Sequence, residues 1–165
     1  MYKVNDTVIY STQGVCRIVE IAEKDFLGQK KEYYVLKPIN NSGTTFFAPT
    51  GNETVLAKFR RILSKEEIQD LVDSLKDEKL LWIIDENERR ERFREILTAG
   101  NHRNLILMIK AIWLEKQNRE AQGKKLHISD ERFFREAEQL LYDEFQYVLE
   151  ITKEDLISYI FKPKE

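Results

Sequence analysis

Residues 4–15 read Val4-Asn5-Asp6-Thr7-Val8-Ile9-Tyr10-Ser11-Thr12-Gln13-Gly14-Val15. This stretch predicts a short strand, a tight turn that ends at Gly14, and a second strand that begins at Val15. Further apolar or aromatic runs follow at residues 33–36 and 44–49, separated by Gly and Asn. We predict strands near residues 7–11, 15–24, 31–38, 44–49 and 58–62. Short strands at this spacing are typical of a small barrel.

The second predicted strand has an irregular pattern, because Val15, Ile18 and Ile21 are three residues apart instead of two. A bulge or strong bend in this strand would explain the spacing, and barrels use such bends to close. Leu27-Gly28 and residues 40–43 are predicted loops, since Asn and Gly tolerate positive φ. Pro49 cannot donate a ladder hydrogen bond, so the fourth strand is predicted to end there.

After residue 63 the pattern changes to charged helices. Ser64-Lys65-Glu66-Glu67 is a capping box, and the helix that it opens is predicted to bury Ile68, Leu71, Val72 and Leu75 and to cover or link the barrel. Further helices are predicted near 87–98, near 103–121, after a Ser129 cap, and near 156–160. The predicted fold is therefore α+β, with a barrel at 1–63, a linking segment at 64–85 and a helical domain at 86–165.

Composition limits the possible partners. The 165 residues have a net charge of −2; residues 1–60 hold 8 Lys and Arg against 6 Asp and Glu, and the rest of the chain holds 19 against 23. Any DNA contact must therefore come from a local basic patch. No apolar run approaches the ~20 residues of a membrane span, and the N-terminus lacks a signal-like stretch. With Cys16 as the only cysteine, we expect a cytoplasmic protein without membrane contact.

The chain also lacks the motifs of catalysis. It contains no glycine-rich phosphate loop, no nucleophile elbow and no zinc-ligand spacing. His102, His127 and Cys16 are too few and too far apart to predict a metal site. We therefore predict a binding protein that is not an enzyme, with no cofactor and no small-molecule substrate.

The order of several motifs resembles the CarD/CdnL family of bacterial transcription regulators, whose barrel is shared with the polymerase-interacting domain of the transcription-repair coupling factor. In the first module the matching residues are Val4, Asp6, Val8-Ile9-Tyr10, Gly14-Val15, Gly28, Lys31 to Lys37, Thr45 and Pro49. In the second module they are Arg89-Arg90, Thr98-Ala99-Gly100-Asn101, Ala111-Ile112-Trp113 and Leu126-His127-Ile128-Ser129.

The resemblance implies a Tudor-like barrel that docks a free strand edge onto the RNA polymerase β subunit. It also implies a helical domain that contacts promoter DNA near the upstream edge of the bubble, without reading a specific sequence, so that the open complex is stabilised. Such a protein would be cytoplasmic and associated with the nucleoid through the polymerase. The alternative is an adaptor of the transcription machinery with no DNA contact, which the acidic balance after residue 60 favours.

The candidate polymerase-binding residues are Lys24, Thr45, Phe46, Phe47 and Pro49. Two consecutive phenylalanines cannot both face inward along a strand, so one ring is expected outside, where it would fill a pocket of an added partner strand. The alternative is an ordinary interior strand. The family's arginine on the fourth strand is replaced by Phe47, and its partner position carries Lys24, which keeps the charge without the bidentate fork.

The candidate DNA-binding residues are Trp82, Arg89, Arg90, Arg92, Lys124, Lys125 and Arg132. Arg89, Arg90 and Arg92, together with Arg94 and Arg103, either contact phosphate or form a solvated helix face with neighbouring glutamates. Trp82 either inserts between bases or packs between the modules. Some family members place a Trp wedge directly before the Arg-Arg pair, where this chain has Asn87 and Glu88.

Overall fold

The computed structural model describes residues 1–10, 13–41 and 43–161, so Ser11, Thr12 and Ser42 of the predicted turns lie outside the described residues. The chain divides after Ile62 into two compact units. The first contains β1 (Thr7–Tyr10), β2 (Val15–Phe26), β3 (Gln29–Pro38), β4 (Phe46–Pro49), the short helix α1 (Glu53–Leu56) and β5 (Phe59–Arg60). These strands form one antiparallel sheet in the order β4-β3-β2-β1-β5.

The irregular pattern of β2 comes from a bulge. Ile18 pairs with Leu36 and Glu20 pairs with Val35, so Val19 is the extra residue between them. The bulge shifts the side-chain alternation by one position, and Ile18 and Ile21 therefore both reach the same core. That core is formed by the side chains of Val8, Cys16, Ile18, Tyr34, Leu36, Ala48 and Phe59. The predicted bulge and the predicted end of β4 at Pro49 are both confirmed.

Leu27 and Gly28 form the two-residue turn between β2 and β3. Phe26 pairs with Gln29 across the turn, and both turn residues have positive φ, +54° for Leu27 and +79° for Gly28. Positive φ at both central positions matches the right-handed twist of the flanking strands. Gly28 adopts this conformation without strain because it has no Cβ atom. In Leu27 the same conformation brings the Cβ atom unfavourably close to the backbone carbonyl oxygen.

The second unit contains five helices within the described ranges: α2 (Lys65–Ser74), α3 (Glu86–Ala99), α4 (His102–Ala121), α5 (Ile128–Leu149) and α6 (Lys153–Phe161). The predicted capping box before α2 is confirmed, because Ser64 and Glu67 exchange both hydrogen bonds. Gly100 ends α3 in the left-handed conformation with φ of +65°, as predicted. The α+β architecture of a sheet followed by helices is therefore confirmed.

Helix α2 packs with the other helices. Its side chains Ile68, Val72 and Leu75 are buried in the core of the second unit. The buried Lys110 of α4 supports the end of α2, since its Nζ donates to the Leu75 carbonyl at 2.8 Å. Burial lowers the pKa of Lys110. Helix α2 is therefore part of the core of the second unit.

The start of α5 also differs from the sequence prediction. His127 occupies the N-cap position and makes no side-chain cap hydrogen bond, while Ser129 lies inside the first turn. Ser129 is the predicted cap, but the helix begins two residues earlier than that prediction requires. Among the helices of the described ranges, none has the length and apolar content that a bilayer span needs.

Candidate functional site

One edge of the sheet is open along β4. Within the described residues, β4 pairs only with β3, through Tyr33–Pro49, Tyr34–Ala48, Val35–Phe47 and Leu36–Phe46. The other side of β4 therefore presents backbone N–H and C=O groups that an added strand can pair with. The two rings of this strand point to opposite faces. Phe46 packs into the core against Tyr10, whereas Phe47 is 42% exposed.

Phe47 belongs to an aromatic cluster on the outer face of the sheet. Its ring centroid lies 5.4 Å from that of Phe26 and 6.4 Å from that of Tyr33, and Phe26 and Tyr33 are 5.1 Å apart, all in edge-to-face contact. Phe26 is 43% exposed. We call Phe26, Tyr33 and Phe47 the outer aromatic cluster. Exposed aromatic rings that fix one another's orientation are well suited to anchor a partner.

In the second unit, Arg89 forms a buried network. Its Nε and NH2 atoms each donate to one carboxylate oxygen of Asp130 at 2.9 Å, and its NH1 atom donates to the Ile83 and Ile84 carbonyls at 2.9 and 3.2 Å. Its guanidinium lies 4.7 Å above the ring of Trp82. Arg89 is 2% exposed and Asp130 is fully buried, so this arginine holds the segment before α3 against the start of α5.

The remaining arginines of α3 are partly exposed. Arg90 donates to Glu86 at 2.7 Å, and Arg92 pairs with Glu95 at 3.5 Å, both within one helical turn. Arg94 is exposed. A cavity between α3 and α5 brings together arginines that are far apart in sequence, because Arg90, Arg94 and Arg132 all line it. Lys124 and Lys125 are exposed in the loop that leads into α5.

The titratable groups of the described residues include one buried thiol. Burial raises the pKa of the Cys16 thiol to about 11, so it stays protonated and weakly nucleophilic at neutral pH. In the part of the chain that the structure describes, no group of three His, Cys, Asp or Glu side chains could hold a metal ion. The features that stand out chemically are the open β4 edge and the arginine-lined cavity.

Residues 2–62 match the family model described as the CarD-like/TRCF RID domain. This match confirms the resemblance to the CarD-like family. The chain is also 22% identical over 162 residues to a protein of Bacillus subtilis (strain 168) named "Putative transcription factor YdeB", which covers 96% of this chain and 99% of that protein. The matched family is one of transcription-associated, RNA polymerase-interacting proteins.

The first unit brings several of the predicted polymerase-binding residues to one region. Phe47 lies on the outer face, Pro49 pairs with Tyr33 at the end of the strand, and Thr45 is exposed just before β4. Lys24 lies two residues before Phe26 along β2, which places it on the outer face as well. Phe46 is the exception, because its ring is committed to the core.

Sequence reasoning missed Phe26 and Tyr33 as members of the outer aromatic cluster. The signal was present in the hairpin register, because the Leu27-Gly28 turn fixes Ala22 opposite Tyr33. Phe26 then follows on the same face of β2 by the period of two. Fixing the turn at two residues would therefore have predicted the cluster from the sequence.

The predicted DNA-binding residues divide into two groups. Arg90, Arg92, Lys124, Lys125 and Arg132 present side chains at the surface of the second unit. Arg89 does not, because its donors are occupied by Asp130 and two carbonyls. Trp82 packs against Phe93 and the Arg89 guanidinium within the helical core. The side chains of Arg89 and Trp82 thus make their contacts within the helical unit, and Arg94 is a further exposed arginine of α3.

Proposed function

We propose that the first unit binds the RNA polymerase β subunit through the open edge of β4. The observation that carries the proposal is the outward position of Phe47 on a strand whose second edge is unpaired within the described residues. A partner strand would pair with the backbone of β4, which supplies affinity. The outer aromatic cluster would insert beside it and supply specificity, and Lys24 on the same face would favour an acidic group on the partner.

The experiment is a pull-down of the purified β subunit with the Phe47→Asp variant. A carboxylate in the centre of the cluster should abolish binding, because it would be buried without a partner charge. Leu81→Asp is the matched control, since Leu81 is also apolar and exposed but lies in the segment before α3. Unchanged capture of the β subunit by Phe47→Asp would contradict the edge assignment.

We further propose that the helical unit contacts promoter DNA without sequence preference, near the upstream edge of the bubble. Arg90, Arg92, Lys124, Lys125 and Arg132 are the proposed phosphate contacts, and the loop that holds the two lysines leads into the N-terminus of α5, where phosphate is favoured. A protein that binds the open complex better than the closed complex shifts that equilibrium by its differential affinity. A preference of ~1.4 kcal/mol would give a tenfold shift.

The second candidate function is an adaptor of the transcription machinery without DNA contact. The ion pairs of Arg90 with Glu86 and of Arg92 with Glu95 favour it, because each glutamate offsets a proposed phosphate contact. Binding of a forked promoter duplex at low salt separates the two functions. Salt-dependent binding supports DNA contact, and no measurable binding supports the adaptor. In both cases we assign no catalytic role and place the protein in the cytoplasm with the polymerase.

A further inference from the structure

The cavity between α3 and α5 has a volume of about 490 Å³. Its lining comes from both helices: Arg90, Arg94, Leu97 and Thr98 of α3, and Ser129, Arg132, Phe133 and Glu136 of α5. The size falls within the range of small-molecule sites. The lining combines three guanidinium groups and two hydroxyls with an apolar wall, which is the composition of a site for a polar anion with a flat or apolar part.

Two of the three arginines in this lining carry a charge that no described side chain offsets, whereas Arg90 pairs with Glu86. Arg94 and Arg132 are exposed, and neither has an ion pair or hydrogen-bond partner among the described side chains. Three arginines face one cavity with a single carboxylate, Glu136, in the lining, although this half of the chain is acidic overall. Like charges at one site raise the free energy of the fold unless an anion offsets them.

Two polar atoms of the same lining also lack partners. Arg90 Nε and the Ser129 hydroxyl oxygen are both buried and make no hydrogen bond within the described residues. A buried donor without an acceptor costs about 1–3 kcal/mol. The side chain of Arg90 is 37% exposed, so the buried Nε belongs to a side chain that is only partly covered. Ser129 lies in the first turn of a 22-residue helix, whose positive end adds to the field of the arginines.

We propose that this cavity binds a small phosphorylated molecule carrying at least two negative charges, with pyrophosphate as the smallest probe. A terminal phosphate or diphosphate is compact enough to reach donors that lie below the surface. Its charge matches the guanidinium groups of Arg94 and Arg132, which have no ion-pair partner among the described side chains. A backbone phosphodiester carries one charge and two bulky sugars, so it fits the recessed donors less well. The wall formed by Leu97 and Phe133 would contact the rest of the ligand.

An occupant of the cavity would regulate the DNA contact. This consequence rests on the proposed function, because Arg90 and Arg132 are two of the proposed phosphate contacts and also line the cavity. A bound anion would neutralise these two arginines and should therefore weaken DNA binding. By linkage, bound DNA should lower the affinity of the cavity for the anion by the same factor. Anion binding itself does not depend on whether the protein contacts DNA.

The test is a calorimetric titration of the full chain with pyrophosphate in low-salt buffer. Arg94→Ala and Arg132→Ala should each weaken binding about tenfold, as expected for one charge-assisted hydrogen bond. The matched controls are Arg92→Ala on α3 and Arg135→Ala on α5, because neither residue lines the cavity. Both controls should keep the affinity within about twofold. Arg92→Ala also weakens the proposed DNA contact, so it separates the two proposals.

A second readout does not depend on variants. In backbone NMR spectra of the wild-type chain, pyrophosphate should shift the amide signals of Thr98 and Ser129 in a saturable way. Absence of saturable binding, or an equal loss of affinity in Arg135→Ala, would overturn the proposal. A forked duplex that shifts these two amides when pyrophosphate does not would also overturn it, because the cavity would then take its phosphate from nucleic acid alone.

Discussion

The guanidinium of Arg89 and the carboxylate of Asp130 are joined by two parallel hydrogen bonds of 2.9 Å, in a site where both side chains are almost fully buried. The two residues are 41 positions apart, so their pairing fixes α3 against α5. The same guanidinium closes over Trp82 and binds the carbonyls of Ile83 and Ile84. One arginine therefore orders the segment before α3 and the first turn of α5 together.

We predict that Asp130→Asn and Arg89→Ala each destabilise the helical unit by about 3–5 kcal/mol, because each leaves the other charge buried without its partner. Arg89→Lys should destabilise the unit less than Arg89→Ala, since lysine keeps the positive charge but cannot make the two parallel hydrogen bonds to Asp130. Urea denaturation followed by tryptophan fluorescence measures this, because both tryptophans, Trp82 and Trp113, lie in the helical unit. The control Arg92→Ala should change stability by less than about 0.5 kcal/mol. Equal stabilities for Asp130→Asn and the control would contradict a structural role of the pair.

The adjacent rings of β4 should separate stability from binding. Phe46→Ala removes a ring that packs against Tyr10 in the core, and we expect a loss of about 2 kcal/mol because the ring is partly buried. Phe47→Ala removes a ring that is 42% exposed, so the loss should stay below about 1 kcal/mol. Hydrogen exchange of the β3 amides measures both, since Leu36 and Val35 pair with these residues. A larger effect of Phe47→Ala than of Phe46→Ala would reverse the assignment of faces.

A substitution of Leu27 should raise the stability of the first unit. Its side chain is fully exposed at the hairpin tip, and its φ of +54° is unfavourable for a residue with a branched side chain. Leu27→Asn would give Asn-Gly, the preferred pair for such a turn, and should stabilise the first unit by about 0.5–1 kcal/mol. Leu27→Ala is the control, because it keeps the Cβ strain and should give no comparable gain. Slower exchange of the β2 and β3 amides in Leu27→Asn alone would confirm the prediction.

Local patterns predicted the features that depend on neighbours in sequence. The capping box at Ser64 and Glu67 needs only four residues, and the bulge of β2 follows from the spacing of Ile18 and Ile21. The opposite faces of Phe46 and Phe47 follow from the period of a strand. These are constraints that the chain imposes on itself within one element, so the sequence is sufficient to recognise them.

Long-range pairing was not predictable in the same way. Arg89 looked like an exposed cation because its own helix is charged, but its partner Asp130 lies on another helix. The cavity that gathers Arg90, Arg94 and Arg132 likewise depends on how α3 packs on α5. Which charged residue is buried is decided by tertiary packing, and a single sequence does not encode that packing in any short pattern.

The stability of the helical unit should depend on pH through Asp143. Burial raises the pKa of this carboxyl above its ordinary value of 3.8, although Gln139 donates to it at 2.7 Å. Its ionisation therefore costs stability above the folded-state pKa, and the cost disappears as the pH falls toward the unfolded value. We expect Asp143→Asn to raise Tm at pH 7, with an advantage that shrinks as the solution is acidified through the raised pKa.

Calorimetry at several pH values measures the difference in Tm between Asp143→Asn and the wild type. Glu120→Gln is the control, because it removes a negative charge from an exposed position. The control should not show the gain at pH 7. If Asp143→Asn instead lowers Tm at pH 7, the hydrogen bond from Gln139 outweighs the cost of burial.

The salt dependence of DNA binding should show which arginines contact phosphate. On duplex DNA the slope of log affinity against log salt changes by about 0.9 for each contact that is lost. Arg92→Ala and Arg132→Ala should therefore each flatten the slope by about that amount and weaken binding to any sequence. Arg135→Ala, on the same helix as Arg132, should leave the slope unchanged. Since Arg92 lies outside the cavity and Arg132 inside it, pyrophosphate should weaken DNA binding of the wild type and of Arg92→Ala, and should have little effect on Arg132→Ala.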